Sequence, residues 1–136
     1  MAARRGSSPA RPQGQGFDLD GVVLRVRDLA SALAWYRERL GLTPARVDER
    51  AGRAVFEFGR GARVTLWQLR RIDRELAIVY AGTFPCLATD DIERAWRDLR
   101  EHDVLVEPIE ASPDGRSFEL RDLDGNRLDV VERTTR

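Results

Sequence analysis

"VVLRVRDLASALAWYRERLGL", residues 22–42, reads as a strand that turns directly into a helix. Leu24 and Val26 alternate with Val23 and Arg25, the period-two pattern of a pleated strand with one buried face. Asp28 stands where a helix N-cap is wanted, and Leu29, Leu33, Tyr36 and Leu40 then recur at helical spacing. Gly41 follows where a helix commonly ends on a left-handed residue.

Working outward, the first strand extends back to 17, and strand-like segments follow at 42–50, 53–59 and 62–70. The last two form a hairpin around Gly-Arg-Gly, with alternation on both sides of the turn. Then the order repeats. "TFPCLATDD" is a strand, and Asp91 caps a helix carrying Ile92, Ala95, Trp96 and Leu99. "VLVEPIE", "GRSFELRD" and "NRLDVVE" supply three more strands, the last pair joined by the turn "DLDGN". Asp28-Leu29 recurs as Asp91-Ile92, an offset of 63 residues (91 − 28) that also brings Leu24 onto Leu87 and Tyr36 onto Leu99.

Two βαβββ modules, 17–70 and 81–133, therefore make one α+β domain over 17–133. Each helix covers one face of its own sheet. Residues 1–16, "MAARRGSSPARPQGQG", read as a disordered tail, too poor in apolar residues to offset the entropy of ordering.

Composition narrows the function classes. The 136 residues are 42% hydrophobic and 34% charged, enough for a core under a polar surface. Lys+Arg and Asp+Glu balance at 23 each, so no global field favours nucleic acid or an anionic membrane. No run approaches the roughly 20 apolar residues of a membrane span, and the N-terminus lacks the apolar core of a secretory signal. A cytoplasmic location is expected. The single cysteine, Cys86, excludes an internal disulfide.

Alternation also identifies the sheet face that the helices leave uncovered. It carries Gly21, Val23 and Arg25 on the first strand and Arg63, Thr65 and Trp67 on the fourth. In the second module it carries Phe84, Cys86 and Ala88, then Glu119, then Arg127, Asp129 and Val131.

Four stretches, "VVLRVRDLASALAWYRERLGL", "VTLWQL", "LATDDIERAWRDLREHDV" and "LRDLDGNRLDVVE", resemble the vicinal oxygen chelate superfamily. That superfamily includes glyoxalase I, bleomycin-resistance proteins, fosfomycin-resistance enzymes and extradiol dioxygenases. The resemblance implies paired βαβββ modules forming a U-shaped mixed β-sheet around a cavity, usually in a homodimer. Catalytic members hold a divalent metal with one residue from each of four strands. The resemblance carries those positions onto Gly21, Thr65, Phe84 and Asp129, where the pattern calls for His or Gln, Glu, His or Gln, and Glu. Only Asp129 ligates a cation in the usual way, whereas a catalytic zinc takes about three protein ligands.

A substitute set of Cys86, Glu119 and Asp129 is conceivable, but Cys86 is expected to be a small buried apolar residue. His102, the one histidine, closes the second helix and reads as a surface residue there. No metal and no cofactor is expected, and no residue is assigned a catalytic role.

What remains is a ligand cleft, to which Gly21 is expected to give room and Val23 an apolar wall. Trp67 and Phe84 offer flat apolar walls. Arg25, Arg63 and Arg127 can donate forked hydrogen bonds to carboxylates or oxygen-rich groups. Glu119 and Asp129 can accept from amines or hydroxyls, with Thr65 and Cys86 between them. This favours a metal-independent protein that sequesters a planar natural product or antibiotic, as bleomycin-resistance proteins do. One competing reading is an enzyme (a lyase, isomerase or similar) that uses Asp129 or Glu119 as acid or base. Another is a structural subunit whose cavity its own side chains fill. The expected partners are a small molecule and a second copy, with neither nucleic acid nor membrane.

Overall fold

The alternation around Leu24 becomes strand β1 (Val22–Val26), in which Leu24 and Val26 are buried and Val23 is 51% exposed. The computed structural model describes residues 20–69, 84–113 and 115–133. The proposed extension of β1 back to 17 and the tail lie outside them.

Helix α1 (Leu29–Leu40) starts on Asp28, whose carboxylate accepts from the Ser31 N–H at 2.9 Å. A second cap comes from far along the chain: the Leu29 N–H donates to Gln68 Oε1 at 2.7 Å, tying the helix to the end of a strand. Gly41, at φ 70°, ends the helix as expected. The β2 (Arg46–Asp48), β3 (Arg53–Glu57) and β4 (Arg63–Gln68) strands follow. A single 3-10 turn at Gly59–Gly61 joins β3 to β4, with Arg60 at φ 68°.

The second module repeats the plan with β5 (Cys86–Thr89), α2 (Ile92–Glu101), β6 (Glu110–Ser112), β7 (Gly115–Arg121) and β8 (Arg127–Glu132). Asp91 caps α2 by accepting from the Arg94 N–H at 3.1 Å. One strand is misplaced in the sequence reading. "VLVEPIE" forms only an isolated bridge, Val106 to Leu120, and the edge strand begins at its last residue, Glu110. The stretch meets β7 through two backbone bonds around that bridge, Glu107 N–H to the Glu119 carbonyl at 2.9 Å and Arg121 N–H to the Leu105 carbonyl at 3.4 Å, and Pro108 has no N–H with which to carry the ladder on.

Each sheet has four strands, ordered β1-β4-β3-β2 and β5-β8-β7-β6, with the first pair of each parallel and the rest antiparallel. The modules share one core. Leu24, Tyr36, Phe56 and Leu66 from the first meet Ile92, Phe118, Leu120 and Leu128 from the second in one apolar cluster.

Polar contacts clasp the modules together on the helix side. The Tyr36 hydroxyl donates to Asp122 Oδ2 at 2.7 Å, and Asn126 Nδ2 donates to the same oxygen and to the Arg25 carbonyl, both at 3.0 Å. Asp122 Oδ1 accepts from the Asp124 and Asn126 N–H groups at 2.8 Å. Nearby, Arg27 pairs with Asp124 at 3.1 Å. Burial, then the Asp122 charge, pushes the Tyr36 phenol far up, so it remains a donor. No helix among the described residues is long and apolar enough to cross a membrane.

Candidate functional site

The face left bare by α1 is built in rows across the sheet. Register places Arg25, Trp67 and Arg53 side by side on β1, β4 and β3, and Val23, Thr65 and Val55 in the next row. The Arg53 guanidinium lies 4.0 Å from the Trp67 ring centroid and that of Arg25 lies at 4.9 Å, both within cation–π range. Arg25 is held there because its Nε donates to the Trp67 carbonyl at 3.1 Å and an Nη to that of Gln68 at 3.4 Å. Arg63 turns to the rim and pairs with Asp20 at 3.2 Å. Beside this row an open cleft of about 790 Å³ is lined by residues including Arg46, Asp48, Arg50, Arg53 and Val55.

The bare face of the second module has a different chemistry. Arg127 is its hub, 3.9 Å over the Phe84 ring and bonded to both oxygens of Asp129 at 2.8 and 3.1 Å. Glu119 lies 3.6 Å from Arg127 and 2.6 Å from Arg121. A smaller cleft of about 190 Å³ opens here, with Glu107, Glu110, Glu119 and Asp129 against one cation, Arg127.

The eight candidate residues thus fall into two groups. Arg25, Trp67, Thr65 and Arg63 share one half-sheet, while Phe84, Cys86, Glu119 and Asp129 share the other. Among the described residues no side-chain hydrogen bond, ion pair or ring contact joins one group to the other.

Two expectations need correction. Cys86 is exposed rather than buried, because it alternates with Leu87 on the uncovered face. Its partial desolvation and the Asp129 charge push the thiol above its ordinary value, so it is not primed as a thiolate nucleophile. Gly21 does not make room for a ligand. A Cβ built on it stands 2.6 Å from the Arg63 carbonyl oxygen, so the missing side chain lets β4 approach. Gly21→Ala is therefore expected to cost about 1–3 kcal/mol through forced separation of the strands. Denaturant unfolding measures this, and an unchanged midpoint would show that the strand end yields freely.

The same geometry bears on a metal. A side chain at 21 collides with backbone, Thr65 offers one hydroxyl, Phe84 offers none, and the Asp129 carboxylate is already clamped by Arg127. Among the described residues, no three His, Cys, Asp or Glu side chains gather in a cluster able to hold an ion. The residues present do not fit a divalent metal of the family type.

Arg53 was missed by the sequence reading, although a signal for it exists. The hairpin is symmetric about Arg60, so counting outward from the turn places Arg53 opposite Trp67. The Asp122 clasp had no such signal, since Tyr36 and Asp122 are 86 residues apart.

Comparison with known proteins agrees with this architecture. No curated protein matches the chain. An integron cassette protein from the mobile metagenome of V. cholerae is 27% identical, with a TM-score of 0.62, over 87% of this chain and 96% of its own. TnmS3, an antibiotic binding protein from Streptomyces, is 19% identical with a TM-score of 0.67, over 88% of this chain and 98% of its own. FosX, a fosfomycin resistance protein of Listeria monocytogenes solved with manganese(II), is 13% identical with a TM-score of 0.64, over 84% and 88%. The match to the family itself covers residues 18–130. With that span, two tandem βαβββ units and a bare sheet face on each, the chain belongs to the Glyoxalase/Bleomycin resistance protein/Dioxygenase superfamily.

Proposed function

We propose that the protein binds a planar, partly polar small molecule without a metal and protects by holding it, a stoichiometric role of the self-resistance type. The observation that carries this is Trp67, a half-buried indole on an otherwise uncovered sheet face with a guanidinium on either side. Such a ring can withdraw apolar ligand surface from water at about 25 cal/mol per Å², while the arginines fix orientation. The antibiotic-binding role of TnmS3, a protein of like fold, supports the same reading.

An acid–base enzyme is less well supported. Asp129 is clamped by Arg127, and Glu119 is bracketed by Arg121 and Arg127. Carboxylates held in this way have their oxygens taken up by guanidinium donors rather than presented to a substrate. The reading as a subunit with a filled cavity gains nothing from the open clefts on both sheets. We also assign a homodimer in the cytoplasm as the working state; the opposite charge character of the two bare faces supports pairing between copies.

The test is a fluorescence titration against glycopeptide, enediyne and anthracycline-type compounds. At least one is expected to bind saturably, and Trp67→Ala is expected to weaken it tenfold or more, about 1.4 kcal/mol. Flat titrations across all three classes, with folded protein, would defeat the proposal.

A further inference from the structure

We propose that the ligand of the first module's bare face is an aromatic carboxylate, its ring against Trp67 and its anion between Arg53 and Arg25; this rests on the binding role proposed above. The other arginines on the described strands are neutralised. Arg116 bonds Glu132 and Glu93 at 2.9–3.1 Å, Arg127 bonds Asp129, and Arg46 pairs with Glu57 at 3.4 Å. At Trp67 this stops. Neither Arg53 nor Arg25 has a carboxylate within ion-pair distance among the described residues, although Arg25 is half-buried. Asp48 faces Arg53 across the β2–β3 ladder, yet its Oδ1 accepts from the Ala51 N–H at 3.1 Å within its own turn. Arg63 and Glu57, the other charges on this face, are paired with Asp20 and Arg46.

Two guanidinia without acid partners, one from each strand beside β4, lie over one indole, so positive charge and aromatic surface meet at one spot. A neutral planar compound satisfies the ring alone. A carboxylate in the ring plane also meets the forked N–H groups of Arg53, and partial burial of Arg25 reduces the solvent screening its charge suffers. The second module's bare face, rich in carboxylates, repels the same ligand, so this module alone accepts it.

The experiment compares anthracene carboxylate with anthracene carboxamide by calorimetric titration of the full chain at low and high salt. The carboxylate is expected to bind at least tenfold tighter, with the advantage shrinking in salt. Arg53→Gln should remove most of that advantage, and Arg53→Lys should retain part of it. Trp67→Ala should weaken both compounds. Equal affinity for acid and amide overturns this inference and leaves the binding role standing. If neither compound binds, the inference also falls, and the antibiotic panel judges the binding role separately.

Discussion

Asp122→Asn is expected to destabilise the fold by about 2–5 kcal/mol, despite being nearly isosteric. Both carboxylate oxygens are fully used as acceptors, one by two backbone N–H groups and the other by the Tyr36 hydroxyl and the Asn126 amide. An amide must turn its NH₂ toward one of these donor pairs, which leaves buried donors facing a donor. Tyr36→Phe removes only one of the four and should cost about 1–2 kcal/mol. The two effects should be non-additive in a double-mutant cycle, because they share one oxygen. Urea unfolding at neutral pH provides the measurement. A loss in Asp122→Asn below about 0.5 kcal/mol would show that the clasp carries no stability.

The pH dependence of that loss has a definite sign. Burial pushes the Asp122 carboxyl above its ordinary value, against the pull of its four donors. Ionising it therefore costs more in the folded chain than in the unfolded one. The penalty is complete above the folded pKa and disappears as pH falls through it toward the ordinary carboxylate value. Wild type should gain stability relative to Asp122→Asn on acidification across that window.

Phe56→Ala is expected to cost about 3–5 kcal/mol, a large share of a typical domain's stability. Phe56 is 1% exposed and stacks on Tyr36 with ring centroids 5.4 Å apart. Its loss leaves a void at the junction of α1 and β3 and removes the backing that aims the Tyr36 hydroxyl at Asp122. Part of the penalty should thus vanish in an Asp122→Asn background. Ligand affinity should hardly change while the protein remains folded, since Phe56 and Trp67 lie on opposite faces of the sheet. A cost below about 1.5 kcal/mol would mean that the core collapses around the gap.

Local chemistry was legible wherever its signal was local. Asp28 and Asp91 cap helices as read, Gly41 ends the first, and the offset repeat foretold two like sheets. Alternation correctly separated Leu24 and Val26 from Val23 and Arg25 because a pleat leaves a strand no other choice. The sixth strand was misread because the alternation from Val104 suggested a full ladder, which stops after one bridge where Pro108 has no N–H to give. Cys86 was misread from the habits of its residue type, against the alternation that put it outside. Gly21 looked like ligand space because close approach by a strand 42 residues later leaves no trace in the sequence around it.

Neighbouring residues along each strand answer to separate masters. The half that keeps the chain folded, Leu66 or Val130, is hidden from solvent, and the alternate half, Trp67 or Asp129, stands on the open face and adds little to the interior. Evolution can then rewrite recognition codon by codon without endangering the scaffold.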